Sequence, residues 1–389
     1  MADYMDEWNS ELEEEITAED LKGLVVYSRD WTVETIMSQI EKGNIDLDPK
    51  FQRRNAWTDR KRSKLIESLI IRVPVPELVL AEDPSNEGGF IVIDGKQRLL
   101  AIAGYLEPTK FDSWKSPKLR FLQTRSDLND KTFKSLSENE DFAKDIRLLF
   151  NSDIRCTVIS AYKNEKVLYD IFYRLNTGSV PLSSQELRQV LNRGRFANFL
   201  IESTNEECPV QNVLNTKGPD SRLRDAELLL RYMAVKLFGN EYRGNLSQFF
   251  DLTMDSLNRD WDERHKEVES ITEQFHETTT LLLNIFPEKK VARKYNYEAQ
   301  VWEGRFNRAL YEVELFYFSK IRPDVAHEKK DEFLTAFREL FNENEFTESI
   351  STTTKTIANY YTRFKYFQDL VNSVYDLGID DIPTPAPDA

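Results

Sequence analysis

The sequence predicts an α+β protein with a mixed N-terminal domain followed by a large helical bundle. In the N-terminal half, short β-branched and aromatic runs alternate with segments whose apolar residues recur every three or four positions. Beyond Asn164 only the helical spacing recurs, as it does from Leu228 to Leu237 and from Phe333 to Phe341. Because 389 residues are many for one core, two domains are expected, a mixed domain over 21–200 and a helical domain over 201–376.

Both ends of the chain have the composition of disordered tails. The formal net charge is -15, and nine carboxylates lie in the first twenty residues without a Lys or Arg. We therefore expect an acidic disordered tail over 1–20 and a second, proline-rich one over 377–389. A solvated tail is the simpler interpretation of the acidic end, and a cover over a basic groove is the functional alternative.

Composition argues against several classes of protein. No apolar run has the length needed to span a bilayer, and the N-terminus lacks a basic segment followed by an apolar one, so we expect a cytoplasmic protein without a membrane partner. Cys156 and Cys208 are far apart, and the three histidines lack paired cysteines or an H-E-x-x-H spacing. No disulfide framework and no metal site built from such ligands is expected.

A basic segment begins the mixed domain, after a short amphipathic helix predicted between Trp31 and Ile45. Thr58 is placed to cap a helix from Asp59 to Arg72, which the Val73-Pro74-Val75-Pro76 run ends. From Phe51 to Arg72 seven Lys or Arg oppose two carboxylates in a chain that is acidic overall. This contrast predicts a local basic site, and contact with DNA is expected from Arg53 to Lys64 or from Arg188 to Arg195.

A strand, a tight turn and a helix follow between Phe90 and Leu106. The apolar run Phe90 to Ile93 leads into Asp94 and Gly95, and the next helix carries Lys96, Gln97 and Arg98 in its first turn. The first N–H groups of a helix have no intrahelical acceptor and carry the positive end of its dipole. The pattern therefore predicts a phosphate-binding turn. The alternative is a plain Asp-Gly turn whose charged residues face solvent.

The remaining elements are predicted from composition and periodicity. Residues 113–145 are polar and lysine-rich, which favours a lid or an insertion over the pocket. A strand is expected over 153–159 and a helix over 167–175, and the Ser183 to Glu186 spacing is that of a capping box that starts another helix. Aromatic residues from Trp302 to Phe316 recur at helical spacing, which predicts a core helix.

Four segments together resemble the GmrSD-type N-terminal family, domain of unknown function 262. These are FQRRNAW from Phe51, the step IIRVPVPELVL, the turn VIDGKQRLLAI and the later FYRLNTGSVPLSSQELR, in matching order and spacing. The resemblance covers about residues 25 to 200, and less specifically the stretch from Arg222 to Phe250. It implies a ParB/sulfiredoxin-like fold whose members bind nucleotide phosphates at an acidic-Gly-x-x-Arg turn. The family usually has Gln at the position of Lys96, so a base preference does not carry over.

The resemblance also implies roles for individual residues. Asp94, Arg98 and Glu186 are the expected catalytic residues, with Asp94 orienting the pocket or engaging a magnesium ion. Phosphates would be held by Gly95, Lys96 and Gln97 on one side. The other residues expected to face the nucleotide are Gln52, Arg53, Arg54, Arg174, Asn176 and Gln185. For Glu186, the capping box is the competing explanation.

Two functions stay open at this stage. The first is a regulator that binds and hydrolyses a nucleoside triphosphate, with magnesium, in antiviral defence or restriction of foreign or modified DNA. The second is a DNA-binding or partner-binding module without turnover. Many relatives carry a His-Asn-His nuclease domain, but no such arrangement follows Cys208. DNA cleavage would therefore need a nuclease or another defence protein as a partner, or a site that these motifs do not reveal.

Overall fold

The computed structural model describes residues 17–47, 57–111, 113–164, 166–175, 183–352 and 354–385. These residues divide into two compact units, one that ends at Leu191 and one that begins at Asn192. The first unit contains a small mixed sheet with helices, and the second is mostly helical. This confirms the predicted α+β class with a helical C-terminal part.

The first unit is built from four strands and seven α-helices within its described residues. These are β1 (Val25–Thr32), α1 (Val33–Glu41), α2 (Asp59–Ile70), β2 (Leu78–Glu82), β3 (Phe90–Asp94), α3 (Lys96–Leu106), α4 (Phe133–Ser137), α5 (Ala143–Phe150), β4 (Asp153–Ser160), α6 (Lys166–Leu175) and α7 (Ser184–Leu191). Two short 3₁₀ turns, Ser126–Leu128 and Glu140–Phe142, lie before and after α4.

The strands form one sheet in the order β1-β4-β2-β3. β1 pairs with β4 antiparallel, β4 with β2 parallel, and β2 with β3 antiparallel. β1 is an edge strand, and most of its side chains are exposed or only partly buried. Its hydrophobic alternation is therefore weak, which explains why the sequence pattern does not predict it.

Helices cover both faces of the sheet. On one face, Leu80 and Val92 join a large core that α1, α2, α3 and α5 complete. On the other face, Ile93 packs in a smaller cluster that includes Leu168 of α6 and Leu187 of α7. The carboxyl end of β3 is thus held between two packed layers.

Residues 113–145 are part of the core rather than a lid, so that prediction is wrong. Ser113 donates a hydrogen bond from its hydroxyl to the carbonyl of Leu100 over 2.6 Å, and the indole of Trp114 donates to the carbonyl of Ala101 over 3.0 Å. Leu119 is fully buried in the same layer. The apolar anchors are few and widely spaced among exposed charges, which hides them from composition alone.

The second unit consists of helices and one β-hairpin. Its elements are α8 (Arg195–Glu202), α9 (Pro209–Leu214), α10 (Arg224–Phe238), a 3₁₀ turn (Gly239–Glu241), α11 (Leu246–Arg259), α12 (Trp261–Ile285), β5 (Arg293–Asn296), β6 (Val301–Phe306), α13 (Arg308–Phe318), α14 (Pro323–Glu328), α15 (Lys330–Leu340), α16 (Asn344–Ser349) and α17 (Ile357–Tyr375). Within the described ranges, no helix is long and apolar enough to cross a membrane.

The predicted aromatic helix from Trp302 to Phe316 begins later than its spacing indicates. Trp302 and Phe306 lie on β6, which pairs with β5. The side chain of Asn307 then accepts a hydrogen bond from the amide of Leu310 over 2.8 Å and caps α13. The helical spacing of the aromatic residues therefore does not mean one helix, because it spans a strand before Asn307 and a helix after it.

A buried ion network lies at the centre of the helical unit. Arg231 donates to Glu227 over 3.1 Å and to Glu312 over 2.8 Å, and Arg363 donates to the other oxygen of Glu312 over 2.7 Å. None of these four side chains is more than 2% exposed. Charges at this depth are tolerated only when they are paired and hydrogen-bonded.

Parts of both predicted tails contact the units to which they are attached. Lys320 pairs with Asp381 at 2.5 Å, and Pro383 is buried. At the other end, Glu19 pairs with Lys163 at 2.8 Å. Tail residues 1–16 and 386–389 lie outside the described residues.

Candidate phosphate-binding site

Gly95 makes the turn between β3 and α3. Its φ of +102° lies in the left-handed region, where a Cβ is strained. A Cβ at this position would also lie 2.3 Å from Cδ2 of Leu78, well inside van der Waals contact. The backbone can therefore enter α3 this tightly only with glycine at the turn.

Arg98, in the first turn of α3, reaches back across this turn. Its Nη2 donates to Oδ2 of Asp94 over 2.7 Å and to the carbonyl oxygen of Glu77 over 2.9 Å. The residue is only 6% exposed, and its Nε has no hydrogen-bond partner among the residues that the structure describes. The guanidinium is thus fixed through Nη2, and its Nε remains a buried donor.

Backbone and side-chain polar groups of α3 lie at the same turn. The amides of Arg98 and Leu99 donate to the carbonyl of Gly95, over 2.9 Å and 3.0 Å. The turn thus forms the amino end of α3, which carries the positive end of the helix dipole. Lys96 is buried, and Oε1 of Gln97 is a buried acceptor without a partner in the described part of the chain.

Lys61 of α2 adds a second positive charge near Arg98. Partial burial and, after it, the charge of Arg98 lower the pKa of Lys61. Its Nζ lies 4.3 Å from the centroid of the Trp57 ring. Two cations that repel one another at a turn make a region where an anion is stabilised.

The basic helix α2 is divided between surface and core. Arg60, Lys61 and Lys64 are exposed, but Arg62 is only 4% exposed, pairs with Asp59 and contacts the Trp114 ring. The expectation that Arg62 contacts DNA together with its neighbours is therefore wrong. Because of the helical repeat, the side chain at this one position of the basic run points into the core.

Glu186 occupies the capping box that its spacing predicts. The amide of Ser183 donates to Oε2 of Glu186 over 2.6 Å, and the amide of Glu186 donates to the hydroxyl of Ser183 over 3.1 Å. Gln185 accepts a hydrogen bond from buried Arg188 over 3.1 Å. These contacts account for the start of α7, and the catalytic role of Glu186 stays a prediction.

The structure brings together only part of the expected site. Asp94, Gly95, Lys96, Gln97 and Arg98 surround one turn, as predicted. The sequence does not assign two further groups to this turn. They are the charge of Lys61 and the carbonyl of Glu77. The signal for Lys61 was its place in the basic run, whereas a backbone carbonyl leaves no signal in the sequence. The residues that lie outside the described part of the chain, or whose side chains do, are Gln52, Arg53, Arg54, Arg174 and Asn176.

Residues 33–191 match the N-terminal domain of the GmrSD restriction endonuclease. This part of the chain is similar to that domain over the whole of the matched range. The match confirms the family resemblance seen in the four motifs, and it includes the turn at Gly95 and the capping box of α7. Searches of curated proteins and of solved structures gave no significant match. The ParB/sulfiredoxin-like description of the GmrSD N-terminal domain therefore stays a prediction.

Proposed function

We propose that the first unit of the chain binds the phosphates of a nucleoside triphosphate at the β3–α3 turn and hydrolyses it to control restriction of foreign or modified DNA. The description of the family, which names a restriction endonuclease, supports the link to DNA. The observation that most supports nucleotide binding is the environment of Arg98. This residue is buried at a helix start and held by Asp94, and its Nε lacks a partner among the described residues.

The groups at the turn suit a phosphate chain. A guanidinium keeps its charge at every relevant pH and presents several donors in a fixed plane, which matches phosphate oxygens. Asp94 acts here as a positioning residue, because its carboxylate holds Nη2 of Arg98. Lys61 and the amino end of α3 add positive potential from two further directions.

Magnesium fits this proposal as a companion of the nucleotide. Mg²⁺ keeps several waters and is held by one or two carboxylates together with phosphate oxygens. Among the described residues, no cluster of three or more His, Cys, Asp or Glu side chains could hold a metal. Asp94, about a quarter exposed, is the carboxylate at the turn that would contribute a ligand. Magnesium would neutralise charge on the phosphates.

The remaining predicted roles complete the proposal. Gln52, Arg53 and Arg54 would close the other side of the phosphate chain. Arg174 would pair with a phosphate, and Asn176 would hold a magnesium ion or the attacking water. Glu186 would orient the attacking water if its carboxylate leaves the capping box. Because the sequence has no His-Asn-His arrangement after Cys208, DNA cleavage is assigned to a nuclease partner.

One observation favours a second candidate, a DNA-binding module without turnover. The exposed side chains of Arg60, Lys61 and Lys64 lie along α2 and would contact a phosphate backbone. Such binding would depend strongly on salt and would not need Arg98.

Measurement of phosphate release separates the two candidates. ATP, GTP and CTP would each be supplied with magnesium, with and without duplex DNA. Hydrolysis predicts turnover that Arg98→Ala abolishes and that Arg60→Ala, a change at an exposed arginine of α2, leaves intact. Turnover absent from the wild type, combined with DNA binding that Arg60→Ala weakens, would instead support the module without turnover.

A further inference from the structure

A cavity of about 820 Å³ lies in the first unit, at the opposite end of β3 from Gly95. We call it the hairpin cavity, because the loop between β2 and β3 forms one wall. Its lining includes Tyr27, Arg29, Trp31, Glu82, Lys163 and Asn164. None of the residues predicted from the sequence as a site lies in this cavity.

Aromatic rings and positive charges alternate along one wall. Tyr27, Arg29 and Trp31 are two residues apart on β1 and therefore point to the same face of the sheet. The Arg29 guanidinium lies 5.1 Å from the centroid of the Tyr27 ring, and Trp31 packs edge-to-face against Phe90 at 5.4 Å. Lys163 contributes a second cation to the lining, where it is paired with exposed Glu19.

Two of the acidic residues in the lining accept hydrogen bonds from other protein groups. Both carboxylate oxygens of Glu82 accept hydrogen bonds, from Tyr27 over 2.7 Å and from Ser160 over 2.6 Å. Asp83 accepts from the amide and the hydroxyl of Ser85, over 2.9 Å and 2.6 Å. These carboxylates are therefore committed to protein contacts, which leaves Glu87 as the exposed acid of the lining.

Asn164 is one of the polar residues in the lining of the cavity. Its Nδ2 donates to Asp20 over 2.9 Å, whereas its buried Oδ1 has no partner within the described ranges. A buried acceptor of this kind is costly unless a donor reaches it. An exocyclic amino group on a nucleobase is a donor of the right type.

We propose that the hairpin cavity binds one unpaired nucleotide of a DNA strand. The base lies against the aromatic wall with its edge toward Asn164, and the backbone phosphates face Arg29 and Lys163. Aromatic side chains interleaved with cations are the usual means of holding unpaired bases. The volume is within the range of ligand pockets, about 300–1,000 Å³. This inference rests on the proposed role in DNA restriction and does not need nucleotide hydrolysis.

The test compares two arginines on opposite faces of the sheet. Arg29 lies in the cavity, whereas Arg155 of β4, paired with exposed Asp30, alternates to the other face. Arg29→Glu and Arg155→Glu change the charge equally. Fluorescence anisotropy would measure binding of a short labelled single-stranded DNA and of its duplex. Thermal unfolding would confirm that both variants are folded.

We expect the wild type to bind the single strand more tightly than the duplex. Arg29→Glu should weaken single-strand binding by about tenfold, the scale of one lost base or cation contact, and Arg155→Glu should leave it near the wild-type value. Equal binding of the two DNA forms, or equal losses in the two variants, would overturn the proposal. Arg98→Ala should bind the single strand normally, so a failure of nucleotide hydrolysis would not be mistaken for a failure here.

Discussion

Arg98 donates from Nη2 to Oδ2 of Asp94 over 2.7 Å, which joins the first turn of α3 to the last residue of β3. The ion pair spans Gly95, and the carbonyl of Glu77 accepts from the same nitrogen. The guanidinium therefore cannot rotate freely into solvent. A group fixed in this way loses less conformational entropy when it binds an anion.

Replacement of Gly95 by alanine should destabilise the first unit. The φ of +102° alone costs a non-glycine residue about 1–3 kcal/mol, and the clash with Leu78 adds to that. Urea-induced unfolding followed by tryptophan fluorescence would measure the loss. Gly43→Ala is the control, because Gly43 also has a positive φ, +73°, but has open space around it. Equal losses in the two variants would show that close packing at Gly95 is unimportant.

Anion binding at the turn should depend on the protonation of Lys61. Burial and Arg98 lower the pKa of Lys61 below its ordinary value of 10.5. As the pH rises through this lowered pKa, the positive charge is lost, so the affinity for a nucleotide should fall before an ordinary lysine would titrate. Calorimetry between neutral and alkaline pH would measure the fall. Lys61→Met should flatten the dependence of affinity on pH, and Lys64→Met should not. Identical pH profiles in the wild type and both variants would show that Lys61 does not contribute to the site.

The strongest local signals in the sequence predicted the corresponding structure correctly. The apolar run before Asp94, the glycine turn and the capping box of α7 each depend on residues within a few positions of one another, and they form as predicted. Features that depend on distant packing were missed. β1 needs β4 as a partner, and Arg62 is buried because Asp59 and Trp114 surround it.

The residues of the candidate phosphate-binding site were also predictable only where they are close together in the sequence. The five consecutive residues from Asp94 to Arg98 were found because one turn contains them. The hairpin cavity was missed because β1, the β2–β3 loop and the segment after β4 contribute to it from separate places in the chain. Tyr27, Arg29 and Trp31 are polar or aromatic residues on an edge strand, and only the folded sheet brings them into one cavity with Tyr162.

Glu186→Gln separates capping from catalysis. A glutamine side chain can still accept the hydrogen bond from the Ser183 amide, so thermal stability should stay close to that of the wild type. If Glu186 orients water, phosphate release should fall by at least about a hundredfold, the scale of general base catalysis. Unchanged phosphate release in a hydrolysing protein would assign Glu186 to the capping box alone.

Glu312→Leu should strongly destabilise the helical unit. The carboxylate lies between Arg231 and Arg363, and its removal leaves two buried cations without their shared partner. The expected loss in the free energy of unfolding is about 3–5 kcal/mol. Urea unfolding monitored by circular dichroism would detect it. Asp324→Asn, which breaks an exposed ion pair with Arg322, should leave the unfolding midpoint nearly unchanged; similar shifts for both would contradict a buried network.

The central claim is that Arg98 and the turn at Gly95 hold the phosphates of a nucleotide. Isothermal titration calorimetry of the full chain with ATP, GTP and CTP, in the presence of magnesium, tests it most directly. The account predicts saturable binding of at least one nucleotide by the wild type and by Arg60→Ala, and a loss of at least about tenfold in a folded Arg98→Ala variant. Unchanged affinity in Arg98→Ala, or no binding by the wild type, would contradict it.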